Sequence, residues 1–227
     1  EVPNATGGDA RNGPSGQYTG GDLQGLTEKI PYLQDLGVNS LWLSAPYENR
    51  NGAGEAIDPG RDPHMYSAYH GYWPSPANID YSNPDSPSPI PMAEPRIGTA
   101  ADLHTLVDTA HNSGMTVLFD YVMNHVDLDS GLYQAHPDWF ANDFDASGQR
   151  LSTFANCGRQ NLWDDDYWGT RCAFTDYLPP FEFDNDDARA WSIADAIWWA
   201  KEFNIDGYRL DAIKHVSLTW LTDLRVA

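Results

Sequence analysis

The stretch of sequence that decides the fold reads Gly207-Tyr208-Arg209-Leu210-Asp211-Ala212-Ile213-Lys214-His215. It follows an amphipathic segment and begins with a short apolar run, which predicts a buried β-strand ending in charged residues. Because residues two apart share one face of a strand, Arg209 and Asp211 should point the same way, and the guanidinium should favour an ionised carboxylate. Such a carboxylate at the end of a buried strand suits a glycosyl-transferring nucleophile, and a purely structural ion pair is the alternative.

Helical and strand patterns alternate along the rest of the chain. Apolar periodicity predicts helices over about residues 23–36, 100–112 and 186–203, the first two capped by Asp22 and Thr99. Strands are predicted at 38–44 and before Asp120, and the long loops 46–98 and 126–183 both follow strands. This pattern is typical of a (β/α) barrel with its chemistry at the C-terminal face of the strands. An open doubly wound sheet fits the alternation nearly as well, but no Gly-rich phosphate loop follows a strand.

Three motifs together resemble the α-amylase family, glycoside hydrolase family 13. They are the strand Thr116-Val117-Leu118-Phe119-Asp120 with its continuation Tyr121-Val122-Met123-Asn124-His125, the loop Tyr69-His70-Gly71-Tyr72-Trp73, and the stretch that begins at Gly207. The resemblance runs from about residue 20 to the end. It implies an α/β fold, part of a (β/α)8 TIM barrel in which the strands are the second, third and fourth. Residues 1–125 and 184–227 would belong to the barrel, and 126–183 would be a loop-rich inserted domain.

The resemblance also implies roles for individual residues. Asp211 corresponds to the nucleophile, and Arg209 keeps it charged and oriented. Residues implied to contact substrate are His70, Tyr72, Trp73, Asp120, His125, Lys214 and His215. Among them, Tyr72 would stack on the sugar at the cleavage position, since a flat ring suits the apolar face of a pyranose. Within the family, the Lys214–His215 pair is typical of enzymes that cleave α-1,4-glucans internally, so the resemblance favours such an enzyme.

A retaining glycosidase needs a second carboxyl as acid/base, about 5–5.5 Å from the nucleophile. By resemblance, this Glu follows the fifth strand and a third carboxylate follows the seventh, and neither region is in this sequence. A typical barrel needs roughly 250 residues before large insertions, against 227 here. We therefore expect the chain to be a fragment that is inactive alone.

Calcium is the cofactor that the resemblance implies, joining the insertion to the barrel. The expected ligands are the side chain of Asn124, the backbone carbonyl of His215 and an Asp of the insertion. Pro180 stands where that Asp is expected. Asp176 or the run at 164–166 is the replacement we consider, because a hard cation requires oxygen ligands.

Composition limits the partners. The net charge is −20, from 33 acidic and 13 basic residues, which argues against nucleic acid or an anionic membrane as partner. A neutral α-glucan is compatible with it, and we expect a monomer when the protein is complete.

The two cysteines, Cys157 and Cys172, lie in the polar second loop. Two free thiols in a reducing cytosol are one alternative. A disulfide is favoured because the segment has little core of its own, and some members of the family have one in the same region. The bonded interpretation predicts a secreted protein.

The resulting functional hypothesis is retaining endo-hydrolysis of α-1,4-glucosidic bonds in starch-like glucans. A cyclodextrin glucanotransferase or related transglycosylase is the alternative within the same chemistry. A non-catalytic glucan-binding homologue is the alternative from another class.

Overall fold

The computed structural model describes residues 16–56 and 60–227. Its helices are α1 (Leu23–Asp35), α2 (Ala100–Asn112), α3 (Gly131–Ala135), α4 (Asp186–Phe203) and α5 (Leu218–Val226). Its strands are β1 (Ser40–Leu43), β2 (Gly54–Glu55), β3 (Met65–Tyr66), β4 (Thr116–Val122) and β5 (Gly207–Asp211). Residues 1–15 and 57–59 of the barrel segment expected at 1–125 lie outside the described residues.

The helices begin where side chains can satisfy the free N–H groups of a first turn. Asp22 accepts from the N–H of Gly25 at the start of α1, and Ser217 accepts from that of Trp220 at the start of α5. Thr99 and Asp102 form a reciprocal capping box at the start of α2. The three long helices therefore lie close to their predicted positions.

A three-stranded parallel sheet, in the order β1-β4-β5, forms the centre of the fold. Leu41 of β1 lies opposite Val117 of β4, and Asp120 of β4 lies opposite Arg209 of β5. β4 is the central strand and buries Val117 and Phe119 completely. Because parallel strands share one direction, their C-terminal ends meet at one edge of the sheet, where the candidate site lies.

The two long loops contain short elements that the sequence did not indicate. In the first, β2 and β3 pair in antiparallel fashion, with Gly54 opposite Tyr66. The strand expected at 38–44 begins at Ser40 and not at residue 38, because the N–H of Val38 donates to the carbonyl of Leu33 and closes the turn after α1.

The second loop, predicted as an inserted domain at 126–183, forms backbone hydrogen bonds with the segment that follows β4. Its C-terminal part runs beside the segment after β4, where the N–H of Phe181 donates to the carbonyl of Asn124 at 2.9 Å. Cys157 and Cys172 are paired within it, with their Cα atoms 5.0 Å apart. Across the part of the chain that the structure describes, no helix is long and apolar enough to cross a membrane.

Candidate active site

The centre of the candidate site is a cation shared by two carboxylates. Nη1 of Arg209 lies 2.5 Å from Oδ1 of Asp211 and 2.8 Å from Oδ1 of Asp120. Asp120 is completely buried, whereas the side chains of Asp211 and Arg209 are partly exposed. These two carboxylates raise the pKa of the guanidinium further above its ordinary value. Arg209 therefore stays charged and fixes both acids at the strand ends.

Tyr72 and Trp42 extend this arrangement through Asp120. The Tyr72 hydroxyl donates to Oδ2 of Asp120 at 2.8 Å, and the Trp42 indole N–H donates to the same oxygen at 3.2 Å. The guanidinium carbon of Arg209 lies 5.3 Å from the centre of the Trp42 ring. Burial, followed by the hydrogen bond to Asp120, raises the pKa of Tyr72 to about 12. Its phenol is thus protonated at neutral pH, and the ring has a fixed position.

Two histidines flank Tyr72. His70 accepts from the backbone N–H of Tyr72 through Nδ1 at 3.0 Å, and its ring stacks on that of Tyr72 with centroids 5.4 Å apart. Nε2 of His125 lies 3.0 Å from the carbonyl of Tyr72. Burial lowers the pKa of His70 to about 4 and also lowers that of His125. Both rings are therefore neutral at pH 7. Nε2 of His70 can hydrogen-bond a hydroxyl group, whereas both nitrogens of His125 contact protein atoms.

A cavity of about 300 Å³ opens at this point, and Asp211 lies in its lining. The lining also contains His70, Tyr72, Trp73 and His125. Four residues predicted to contact substrate thus share one cavity with the predicted nucleophile. Such a volume is in the range of small-molecule sites.

Lys214 and His215 lie apart from the lining of this cavity. Ala212 has left-handed backbone geometry (φ 51°) and turns the chain from β5 into the 3-10 turn Ile213–His215. Nζ of Lys214 contacts Asp164 of the insertion at 2.5 Å. His215 is buried, and its Nδ1 lies 2.7 Å from the carbonyl of Gly169. In this structure the pair joins β5 to the insertion.

Asn124 and the carbonyl of His215, two of the expected calcium ligands, lie together. Nδ2 of Asn124 is 2.8 Å from this carbonyl oxygen, and Oδ1 is 3.1 Å from Nδ1 of His125. The carbonyl of Tyr72 only accepts, so the single N–H of a neutral His125 ring lies on Nε2 and Nδ1 is an acceptor. Two acceptors, Nδ1 and the Asn124 oxygen, would then face each other.

Turning the Asn124 amide by 180° resolves this conflict, and the two amide orientations are not distinguished by shape. The amide nitrogen then donates to His125, and the amide oxygen faces the carbonyl oxygen of His215. Oxygen ligands of calcium at about 2.3–2.6 Å from the ion lie roughly 2.8 Å from their neighbours. With the amide in that orientation, these two neutral oxygens would fit a cation.

The carboxylate ligand does not fit in the same way. Asp176 is exposed and forms a bidentate ion pair with Arg159, in which Nη1 and Nη2 lie 3.0 and 2.8 Å from the two carboxylate oxygens. Pro180 forms an isolated bridge with His125, beside Asn124. Among the described residues, no group of three or more His, Cys, Asp or Glu side chains is placed to hold a metal. The two candidate calcium ligands that lie together, Asn124 and the carbonyl of His215, are therefore both uncharged.

Sequence reasoning missed several residues at the site. Trp42 pairs with Leu118 in the β1–β4 register, and Asp120 lies two residues further along β4, on the same face. This register is not visible in any local sequence pattern. Glu55, Tyr66 and Tyr177 also line the cavity. The aromatic content of their loops is the signal that could have suggested them.

Comparison with known proteins identifies the family. Residues 4–223 match the family model described as the alpha amylase catalytic domain. The chain belongs to the α-amylase family. It is 31% identical to the periplasmic α-amylase of Escherichia coli (strain K12), covering 89% of this chain and 36% of that protein.

Two further members of the α-amylase family are similar at a comparable level. A cyclomaltodextrin glucanotransferase from Bacillus sp. (strain 1-1) is 30% identical over 92% of this chain and 27% of that protein. The crystal structure of an α-amylase from Geobacillus thermoleovorans complexed with acarbose superposes with a TM-score of 0.65 at 28% identity, covering 94% of this chain and 38% of that one. This chain thus spans about a third of the length of the relatives it matches.

Proposed function

We propose that this chain supplies the nucleophile and part of the glucan-binding cleft of a retaining glycosidase that cleaves α-1,4-glucosidic bonds inside starch-like glucans. The observation that supports it most directly is Asp211, which is ion-paired with Arg209 and lies in the same cavity as Tyr72 and His125. Membership of the α-amylase family gives the reaction class.

The first step is attack by a carboxylate oxygen of Asp211 on the anomeric carbon. A carbon–oxygen ester bond forms as the glycosidic bond breaks, and the leaving oxygen takes a proton from an acid. Water then cleaves the ester, so the product retains the anomeric configuration. By resemblance, the acid is a Glu after the fifth strand of the family's barrel, and hydrolysis is proposed for the full-length protein only.

Arg209 and Tyr72 have separate tasks in this proposal. Arg209 fixes the orientation of Asp211 through the ion pair and places a positive charge beside the nucleophile. The Tyr72 ring, held through its hydroxyl by Asp120, offers an apolar face to the sugar. His70, neutral at pH 7, hydrogen-bonds a sugar hydroxyl through Nε2, and His125 lines the same cavity and contacts the sugar.

Transglycosylation is the second candidate, because one of the relatives is a cyclomaltodextrin glucanotransferase. The two reactions share the ester at Asp211 and differ in whether water or a sugar hydroxyl cleaves it. An assay of the full-length protein on soluble starch separates them. Linear oligosaccharides whose new ends are α-anomers support hydrolysis, cyclic products support transfer, and β-anomers would contradict the retaining mechanism.

Domain boundaries, cofactor and location form part of the same proposal. We assign 1–125 and 184–227 to the barrel and 126–183 to the inserted domain, with calcium between them at Asn124 and the His215 carbonyl. The paired cysteines favour an exported monomer. Export is proposed and not inferred from relatives, since their names include both a periplasmic and an intracellular enzyme.

A further inference from the structure

The cavity that contains Asp211 has one side formed by the β2–β3 pair. Glu55 of β2 and Tyr66 of β3 both line it, with Tyr69 just after β3. The hydroxyl of Tyr66 donates to Asp62, which also contacts Nδ1 of His64. These contacts fix the Tyr66 ring. We refer to Glu55, Tyr66 and Tyr69 as the β2–β3 wall.

The chemistry of the β2–β3 wall suits a neutral sugar. Two phenol rings offer flat apolar surfaces, and the side chain of Tyr69 is 44% exposed. Glu55 is exposed and carries a carboxylate that can accept from hydroxyl groups. Aromatic faces beside a hydrogen-bond acceptor are the combination that a pyranose requires.

Gly54 allows β2 to approach the cleft closely. A Cβ atom at this position would lie 2.7 Å from the Trp73 ring and 2.8 Å from the Tyr177 ring. Both distances are shorter than a side chain tolerates, and neither ring is the end of a flexible chain. Any residue larger than glycine must therefore displace β2 or the two rings.

Tyr177 of the insertion holds β2 from the other side. Its hydroxyl donates to the carbonyl of Glu55 at 2.8 Å. Its ring packs edge-on against Trp73 at 5.1 Å, and the guanidinium of Arg50 lies 5.1 Å from its centre. Burial raises the pKa of Tyr177 to about 12, so the donor is retained at neutral pH. The position of the β2–β3 wall thus depends on Gly54 and Tyr177.

We propose that the β2–β3 wall binds the glucosyl unit next to the one held at Asp211 and thereby determines how activity depends on glucan length, with Gly54 and Tyr177 as its positioning residues. The inference rests on the proposed function. It assigns substrate contact to Glu55, Tyr66 and Tyr69, and the first two of these lie outside the motif residues that indicated the family.

The test is a chain-length series, from maltose to maltoheptaose, on the full-length protein. In wild type, kcat/KM should rise at the length that reaches the β2–β3 wall. In Gly54→Ala this rise in kcat/KM should be about five- to tenfold smaller, because KM for the longer substrates increases. That factor corresponds to the loss of one aromatic contact. The value of kcat on the longest substrate should be retained. Tyr177→Phe adds no atoms and should change KM in the same direction, by less.

Gly52→Ala is the matched control. It lies two residues away, and its added Cβ would meet only the end of the Arg50 side chain at 3.4 Å. It should behave as wild type. A profile of kcat/KM against length that is unchanged in both Gly54→Ala and Tyr177→Phe overturns the inference, as does an equal loss at every length.

Calorimetric binding of the same oligosaccharides to Asp211→Asn, with and without Gly54→Ala, separates this inference from the proposed function. If wild type hydrolyses no glucan but binding still shows a length-dependent step that Gly54→Ala removes, hydrolysis fails and the β2–β3 wall stands. Binding without such a step overturns the inference.

Discussion

Asp120 of β4 and Arg209 of β5 lie opposite each other in the strand register, and Nη1 of Arg209 is 2.8 Å from Oδ1 of Asp120. The carboxylate of Asp120 is completely buried, so it depends on this cation and on the donors Tyr72 and Trp42. Since Arg209 also contacts Asp211, the β4–β5 register sets the position of the proposed nucleophile. A one-residue slip would turn these side chains to the opposite face.

Asp211→Asn in the full-length protein should abolish glucan hydrolysis without unfolding it. The amide is nearly the same size but cannot form the glycosyl ester, and losses for a removed nucleophile are on the order of 10⁴-fold or more in kcat. Turnover of starch and the circular dichroism spectrum measure both parts of the expectation. Glu202→Gln is the control, because Glu202 is surface-exposed and pairs with His104 away from the site. Activity near wild type in Asp211→Asn would exclude Asp211 as nucleophile.

The paired cysteines predict a measurable contribution to stability. Thiol titration of the denatured, unreduced protein should find no free sulfhydryl. Because Cys157 and Cys172 are 15 residues apart, Cys157→Ser with Cys172→Ser should lower the free energy of unfolding by about 3 kcal/mol. Reduced wild type is the internal control and should match the double variant. Detection of two titratable thiols would contradict the disulfide and would also remove the support that it gives for export.

Calcium should raise the melting temperature of the full-length protein, because a ligand that binds only the folded state stabilises it. The comparison is between added calcium and added chelator. Asn124→Ala should abolish the difference, since it removes the amide that is expected to bind the ion beside the His215 carbonyl. Asp176→Asn should preserve it, because Asp176 is paired with Arg159. Equal melting temperatures of wild type in both conditions would mean that Pro180 marks a lost site.

The sequence alone predicted the features that depend on local rules. Strand alternation put Arg209 and Asp211 on one face, and the caps Asp22 and Thr99 placed the starts of two helices within a residue. These rules involve neighbours along the chain, so a pattern of a few residues contains the information.

Features that depend on distant parts of the chain were not predictable in this way. β2 and β3 have two residues each and no alternation to detect. Their position depends on Gly54 meeting Trp73 and Tyr177, the latter 123 positions along the chain. The burial of His215 likewise depends on the insertion, through the carbonyl of Gly169.

A buried carboxyl outside the site should make stability depend on pH. Asp195 of α4 accepts from the hydroxyls of Tyr81 at 2.5 Å and Tyr121 at 2.8 Å. Tyr47 and Tyr208 also face it, and their pKa values are raised well above 10, so they are neutral in acid. Among the described residues, none that lines the adjoining cavity is a lysine or arginine. Burial, only partly opposed by hydrogen bonds, raises the pKa of Asp195 to about 6.

The sign of the effect of Asp195 follows from this raised pKa. Between about pH 4 and 6 the folded state holds a proton that the unfolded state has released, so the free energy of unfolding falls as pH rises through this window. At about 1.4 kcal/mol per pKa unit, the loss is about 3 kcal/mol. Asp195→Asn has no such proton, and its free energy of unfolding should lack this decline.

Denaturant melts of both proteins at pH 4, 5, 6 and 7 measure the difference. Glu48 lines the same cavity, and burial raises its pKa too, but its contribution is present in both proteins and cancels. Parallel pH profiles would show that Asp195 has an ordinary pKa in the folded protein.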